Sequence, residues 1–323
     1  MTDVWDLFVL EYARSHQQPW VDLVSGMYAD GGVDLPFSFM LAQKGDRNVL
    51  IDTGFMQDEG SSGFSRKFGI PNWISPVRML SEIGVAAEAV TDIVITHAHF
   101  DHMGSVGEFP NARLFIQKSE LLTWYEAIAL PPRFGYLTAI IDPDNLRTAL
   151  EASIEHRVTL VDGDENDVLP GIHVRLGSGH TIGQQFVIVE TRRGRLVISG
   201  DCVYSRHQIT GRDNDGVYVP LNNATGSVWE QLKTIDKINK EIGGDQDRLI
   251  VLHDIDRWTG LPVVKEVEGY KIVRAGWDEG PATEKAGSLD RGSRAHRLPV
   301  SMSPSPFRTR VVDRTPNDCR NST

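Results

Sequence analysis

The chain has 323 residues and a formal net charge of −11, a length that allows one large layered α/β domain or two smaller domains. The excess of carboxylates would repel nucleic-acid phosphates and anionic membrane surfaces, so we expect neither as a partner. Only Cys202 and Cys319 occur, which argues against a disulfide framework and favours the cytoplasm. We also expect neither a signal peptide nor a membrane span.

Strands and helices alternate in the first half of the chain. The predicted strands are residues 4–13, 37–54, 91–97 and 112–117. Residues 44–47 form a hairpin turn signal within the second of these strands. A short helix is predicted with Ser75 as N-cap, Pro76 at its first position and Gly84 past its end. Further helices are predicted near residues 121–129 and 146–154, although residues 130–170 otherwise show little pattern.

A second β-rich half follows. Its strand-like segments are residues 173–180, 184–191, 194–201 and 248–254. A helix between the last two segments has Thr225 as its predicted N-cap and Gly243 past its end. The apolar face of this helix consists of Val228, Leu232, Ile235 and Ile238. This order of elements predicts two packed sheets with helices outside, an αββα sandwich of the mixed α/β class.

The composition changes near the C-terminus. Residues 284–323 are rich in Ser, Pro and Arg and have no sustained apolar period, so they predict a disordered tail after a domain of residues 1–283. The alternative is a basic arm that docks onto an acidic partner or a second subunit. The sequence therefore leaves a homodimer open.

One short motif concentrates metal-binding side chains. In "ITHAHFDHMG", residues 95–104, the loop after a strand carries His97, His99, Asp101 and His102. A loop can turn all four side chains toward one point, and imidazole with carboxylate suits zinc, iron, cobalt or manganese. An accidental cluster on a surface loop is the alternative, but four such side chains within six positions argue against it.

Three further candidate ligands follow predicted strands. His180 lies in "GSGHTIG", Asp201 in "VISGDCVY" and His253 in "IVLHDID". Each alone is as ordinary as a packed histidine or a capping aspartate. Together with the motif they supply the number of ligands that two metal ions sharing a bridging group need.

These residues carry a family resemblance. "THAHFDH", "GHT", "GD" and "HD", in this order across about residues 35–255, resemble the metallo-β-lactamase superfamily. The resemblance implies an αββα sandwich with two divalent metal ions, zinc first and iron, cobalt or manganese as alternatives. One ion would be held by His97, His99 and His180, the other by Asp101, His102 and His253, with Asp201 bridging them.

A finer resemblance points to the N-acyl homoserine lactonase branch. Tyr204 follows Asp201 by three residues, and "LHDIDRW" resembles the corresponding segment of that branch. The implied function is a quorum-quenching lactonase in which a metal-bridging hydroxide attacks the lactone carbonyl. Tyr204 would stabilise the oxyanion and Asp101 would carry the proton to the alkoxide. A core role for Tyr204, with its hydroxyl bonded to the backbone, is the alternative.

The substrate is expected to be a small lactone or ester. Alternatives are another lactone, ester or amide, or a glutathione thioester as in glyoxalase II, which would need a basic surface for glutathione. Apolar residues in loops would hold the acyl chain, although each could equally belong to the core. The predicted substrate-binding residues are Met27, Tyr28, Phe64, Phe68 and Trp73.

Overall fold

The computed structural model describes residues 3–57, 62–222, 224–254 and 260–276. Within these residues the chain forms two β-sheets that pack face to face. The predicted tail, residues 284–323, and the predicted domain boundary before it lie outside the described residues. Among the described helices, none combines the length and the apolar character that crossing a membrane requires.

Thirteen strands of the described residues form the two sheets. They are β1 (Asp6–Pro19), β2 (Gly32–Lys44), β3 (Arg47–Ile51), β4 (Asp92–Val94), β5 (Arg113–Gln117), β6 (Val158–Val161), β7 (Glu165–Leu169), β8 (Ile172–Leu176), β9 (Gln185–Thr191), β10 (Gly194–Ile198), β11 (Leu249–Ile250), β12 (Val263–Val267) and β13 (Tyr270–Ala275). The larger sheet has the order β12-β13-β1-β2-β3-β4-β5-β6, and the smaller has the order β11-β10-β9-β8-β7.

The direction of the strands decides where their ends meet. Strands β3, β4, β5 and β6 pair in parallel, and β10 pairs in parallel with β11 in the smaller sheet. The carboxyl ends of parallel neighbours lie at the same edge of a sheet. The loops that leave β3, β4, β10 and β11 therefore start from two sheet edges, which is where the sequence predicts the metal-binding residues.

Eight α-helices complete the described fold. They are α1 (Trp20–Leu23), α2 (Ser62–Lys67), α3 (Pro76–Ser81), α4 (Phe100–Met103), α5 (Lys118–Ala129), α6 (Pro143–Ile154), α7 (His207–Thr210) and α8 (Val228–Glu241). The predicted start of α3 is confirmed, because the Arg78 amide donates to the Ser75 side chain at 3.1 Å and Pro76 occupies the first position. Gly84 ends this segment with a φ of +81°, a conformation that glycine adopts without strain.

Helix α8 forms where it was predicted, but its N-terminus differs in two ways. Ser227, and not Thr225, is the N-cap, since its side chain accepts from the Glu230 amide at 3.1 Å. Thr225 instead donates from both its amide and its hydroxyl to the carbonyl of His180. Val228, predicted on the apolar face, is 55% exposed, whereas Ile235 and Ile238 on that face are buried.

Alternating side chains along the strands build three apolar layers. On β9, Val187 and Val189 face the space between the sheets, whereas Phe186 and Ile188 face α8. The same alternation on β1 places Leu7 and Val9 between the sheets, while Leu10 and Tyr12 join the outer core with residues of α3, α5 and α6. This arrangement confirms the predicted αββα sandwich.

Four strands were not predicted from the sequence. Strands β6 and β7 lie in the weakly patterned region, and most of their residues are partly or fully exposed. Strand β12 lies at the sheet edge, with four exposed residues of five, and β13 pairs with β1. The edge strands β6, β7 and β12 bury little apolar surface, so the alternation that reveals a strand in sequence is weak. This reason does not apply to β13, which lies inside the sheet and is mostly buried.

Candidate metal centre

The seven predicted ligands lie together where strands of both sheets end. His97 and His99 follow β4, and His102 lies in α4 directly after them. Asp201 and His253 follow β10 and β11, and His180 lies in the loop between β8 and β9. All seven side chains are buried. The parallel pairing of β10 with β11 explains why residues separated by 52 positions can meet.

Three histidines and Asp201 form one group, in which the candidate ligand atoms lie within 4.8 Å of one another. His99 Nδ1 lies 2.9 Å from His97 Nε2 and 3.0 Å from His180 Nε2. Asp201 Oδ2 lies 3.3 Å from His180 Nε2 and 3.6 Å from His97 Nε2. We call His97, His99 and His180 the first cluster.

A second cluster, Asp101, His102 and His253, surrounds the other oxygen of the same carboxylate. Asp201 Oδ1 lies 3.1 Å from His102 Nε2 and 3.2 Å from His253 Nε2. Asp101 Oδ2 lies 3.5 Å from each of these nitrogens. The two oxygens of Asp201 thus face different clusters, as the carboxylate of a residue bridging two ions would.

The unsatisfied atoms of the second cluster indicate what the site can bind. His102 Nε2, His253 Nε2 and Asp201 Oδ1 are buried without a hydrogen-bond partner, a state that is costly and uncommon in proteins. The opposite nitrogen of each ring is occupied: Nδ1 of His253 donates to the Pro36 carbonyl at 2.7 Å. Its Nε2 is therefore the nitrogen available to a ligand, and the donor set fits a metal ion such as zinc.

Asp52 supports the centre from behind, and the sequence did not single it out for this role. Its carboxylate accepts from the Thr96 amide at 2.7 Å and the Thr96 hydroxyl at 2.9 Å. Its Oδ2 also lies 2.7 Å from His102 Nδ1. Asp52 directly follows the buried strand β3, the parallel neighbour of β4, and this position was the available signal.

The electrostatics of the buried groups suit metal binding. Burial lowers the pKa of His97 and of His99 well below the ordinary value, and neighbouring histidines lower it further. Burial alone would raise the pKa of Asp201, but the surrounding histidines outweigh it and hold that pKa well below its usual range. Burial would also lower the pKa of His102 and of His253, but the carboxylates of Asp201 and Asp101 outweigh it and raise both. The first cluster therefore offers neutral imidazoles, the form that binds metal, whereas a metal ion at the second cluster would displace protons from His102 and His253.

Tyr204 faces the centre. Its hydroxyl donates to Asp201 Oδ2 at 2.5 Å, and its ring stacks on His253 with the centroids 5.0 Å apart. The alternative of a core tyrosine with its hydroxyl on the backbone does not describe this arrangement. Burial raises the pKa of Tyr204 well above its ordinary value, and Asp201 and Asp101 raise it further. The hydroxyl therefore keeps its proton as a donor.

A cavity of about 400 Å³ opens onto both clusters. Its floor includes His99, Asp101, His180, Asp201 and His253, together with Tyr204. An apolar wall continues from this floor and contains Leu23, Leu35, Phe37, Phe68, Phe100 and Ile140. Of the five predicted substrate-binding residues, Phe68 is the one that belongs to the lining.

The other four predicted wall residues have different surroundings. Phe64 stacks behind the wall on Phe100 with ring centroids 4.6 Å apart. The Trp73 indole donates to the carbonyl of Phe55, and the rings of the two residues stack on each other. Met27 packs against the outer core and Tyr28 is 77% exposed. These four side chains lie outside the described lining of the cavity. The sequence does not distinguish loop residues that turn toward the core from those that turn toward a cavity or the solvent.

Comparisons with known proteins agree with this geometry. The family model described as "Metallo-beta-lactamase superfamily" matches residues 31–253. An N-acyl homoserine lactonase from Bacillus cereus is 25% identical over 244 residues, which cover 72% of this chain and 87% of that protein.

Two solved structures have a similar fold. An N-acyl homoserine lactone hydrolase with N-hexanoyl-L-homoserine bound at its catalytic metal centre superposes with a TM-score of 0.61 and 20% identity, over 82% of this chain and 99% of the other. A dizinc quorum-quenching lactonase gives a TM-score of 0.59 and 21% identity, over 83% and 93% of the two chains. At these identities the likeness shows the fold.

Proposed function

Because the chain belongs to the metallo-β-lactamase superfamily, we propose that it is a metal-dependent lactonase that hydrolyses N-acyl homoserine lactones. One observation carries the proposal: a single cavity has residues of both ligand clusters and Tyr204 at its floor and an apolar wall beside them. A small polar ring would react at the floor while an acyl chain lies along the wall.

We assign the metal ligands accordingly. The first cluster would hold one ion and the second cluster the other, with Asp201 as a ligand shared by both. When bound, two divalent cations supply a water of lowered pKa and polarise an ester carbonyl. The chain contributes the fixed orientation of its ligands, since Asp52 and the Pro36 carbonyl hold the rings of His102 and His253.

Tyr204 is assigned to the carbonyl oxygen of the substrate. Its hydroxyl lies at the cavity floor and donates to Asp201, and we propose that this proton turns to the carbonyl oxygen as negative charge develops there. A donor placed in a buried site in advance stabilises such charge more strongly than water does. This role is lost when the hydroxyl is removed.

Asp101 is assigned to proton transfer. Its carboxylate lines the cavity and contacts His102 and His253 through one oxygen. It can therefore take a proton at the floor and deliver it to the departing alkoxide oxygen. Because the leaving group of a lactone stays attached to the acyl carbon skeleton, the single product is a hydroxy acid.

The charges around the cavity favour a lactone over a glutathione thioester. Glutathione carries two carboxylates at neutral pH and would need basic side chains near the site. Lys67 is the one Lys or Arg in the described lining, and Asp22 lies in the same lining. The nearly uncharged wall instead complements an acyl chain.

The test is a substrate screen of the metal-loaded enzyme, in which acid release is followed at constant pH. We expect the highest kcat/KM for N-acyl homoserine lactones, lower values for other small lactones and aryl esters, and the lowest for S-lactoylglutathione. Mass spectrometry should identify N-acyl homoserine as the product. Faster turnover of the glutathione thioester would replace the lactonase proposal with the thioesterase.

A further inference from the structure

A fully buried carboxylate lies behind the first cluster, at the start of α5. Oε1 of Glu120 accepts from the Ala98 amide at 2.9 Å and from the Trp124 indole at 2.7 Å. Oε2 accepts from the Thr181 hydroxyl at 2.7 Å and from the Gly183 amide at 3.0 Å. Glu120 has no exposed surface. Four neutral donors thus occupy the lone pairs of both oxygens, which fits the ionised form of the side chain.

The donors belong to segments that carry the histidines of the first cluster. Ala98 separates His97 from His99 in the motif, and the Trp124 ring packs near the His99 ring with centroids 5.9 Å apart. Thr181 and Gly183 belong to the other segment and directly follow His180. The side chain of Glu120 therefore holds together two loops that are distant in sequence, since His99 and His180 are 81 positions apart.

The loop of His180 approaches the backbone of α5 closely at Gly183. A Cβ atom added to Gly183 would lie 2.1 Å from the Glu120 backbone nitrogen and 2.5 Å from its Cα. The loop of His180 is thus pressed directly against the first turn of α5. Burying a carboxylate among neutral groups costs free energy. The hydrogen bonds that offset this cost also hold the two loops in their present conformation.

The second cluster is held by different groups. Asp52 fixes the ring of His102, and the Pro36 carbonyl fixes the ring of His253. Asp52 also reaches the first cluster's segment through Thr96, whereas the four hydrogen bonds of Glu120 all go to the motif loop, the His180 loop and Trp124. Asp52 accordingly contributes to both metal positions, whereas Glu120 contacts only segments of the first.

We propose that Glu120 is a positioning residue for the first metal position, and that it sets the metal affinity of His97, His99 and His180 without setting that of the second cluster. The inference rests on the ligand assignment of the proposed function, but it does not depend on the substrate. Partners that orient metal ligands typically change metal affinity by about 10- to 100-fold when they are mutated.

The experiment compares Glu120→Gln with wild type and with Glu126→Gln, a matched change at an exposed position of the same helix. The glutamine keeps the size of the side chain but presents an NH₂ group to donors. Zinc retention is measured against a competing chelator. We expect Glu120→Gln to lose one of two ions at a chelator concentration where both other proteins keep two.

Two single-site backgrounds identify the ion that is lost. In His253→Ala the remaining ion occupies the first position, and there Glu120→Gln should weaken zinc binding by about 10- to 100-fold. In His180→Ala the remaining ion occupies the second position, and its affinity should not change. Equal weakening in both backgrounds would indicate a merely structural role, and unchanged retention in the first would overturn the inference outright.

Thr181→Val provides a second route if Glu120→Gln does not fold as the apo protein. Valine keeps the shape of threonine and removes one of the four donors, so zinc at the first position should weaken while the apo unfolding midpoint stays near that of wild type. Normal zinc affinity in folded Thr181→Val would then reject the inference. A wild type that binds two ions but hydrolyses no lactone would reject the proposed substrate and leave this inference standing.

Discussion

The floor and the wall of the cavity are held by different forces. At the floor, hydrogen bonds fix individual side chains, such as Asp52 on His102 and the Pro36 carbonyl on His253. Along the wall, apolar contacts dominate, and Phe68 and Phe100 stack with ring centroids 5.5 Å apart. Hydrogen bonds are directional, whereas apolar packing tolerates substitutions that conserve volume. The chemistry of the site and its choice of substrate therefore reside in parts that can change separately.

This difference also separates the two kinds of kinetic effect. Altering the floor should change metal content and turnover, because the floor contacts the reacting atoms. Altering the wall should change mainly the apparent affinity for substrates with longer acyl chains, since the wall contributes binding that is equal in the ground and transition states. Variants of the floor and variants of the wall can test whether this division holds.

The largest effect is expected from Asp201→Asn. Asparagine has a similar shape, but it lacks the charge that both clusters face through the two oxygens of Asp201. We expect both ions to be lost on gentle chelation and turnover to fall more than about a thousandfold, because metal catalysis contributes several kcal/mol. Metal analysis and kcat measured on the same sample provide the check. Retention of two ions with full activity would remove Asp201 from the bridging position.

Tyr204→Phe should have the next largest effect. Removing the hydroxyl should lower kcat by roughly tenfold to a thousandfold, as loss of one oxyanion donor does, while both metals stay bound. The matched control is Tyr218→Phe, whose hydroxyl bonds to Asp236 on α8. If Tyr204→Phe kept a normal kcat and lost only about 1 kcal/mol of stability, the tyrosine would be a structural residue.

The spacing of residues made the floor predictable from the sequence. The motif concentrates four candidate ligands, and the other three each follow an apolar strand. The end of a strand fixes where the following residues lie, so side chains that can bind metal are held in place when they follow a strand. The supports Asp52 and Glu120 were missed because each is a lone carboxylate whose partners are distant in sequence, 44 positions for Thr96 and 61 for Thr181.

The wall could not be predicted in the same way. Its residues come from loops, short helices and a strand of the larger sheet, and their common property is packing, which leaves no fixed spacing. Phe100 lies inside the motif, between His99 and Asp101, yet its contribution to the wall was not anticipated. The layers of the sandwich followed from alternation along buried strands such as β9, whereas the exposed strands β6 and β12 did not show it.

Phe68→Ala tests the wall. It should raise KM for a long-chain N-acyl homoserine lactone by about tenfold, because loss of apolar contact of this size amounts to roughly 1.5 kcal/mol. The effect on kcat and on a short-chain substrate should be smaller. Tyr28→Ala is the control, since Tyr28 is highly exposed and outside the described lining. A loss of kcat equal for both chain lengths would mean that Phe68 serves the floor and that the division fails.

The smallest effect is expected from removing residues 284–323. These residues have no periodic apolar positions that could contribute a further layer to the sandwich or a further side to the wall. Metal content, kcat and KM for long- and short-chain substrates should therefore match those of the full chain. A higher KM for the long-chain substrate alone would show that the wall is incomplete without this segment. A lower unfolding midpoint with unchanged kinetics would instead assign the segment to the stability of the fold or of a dimer.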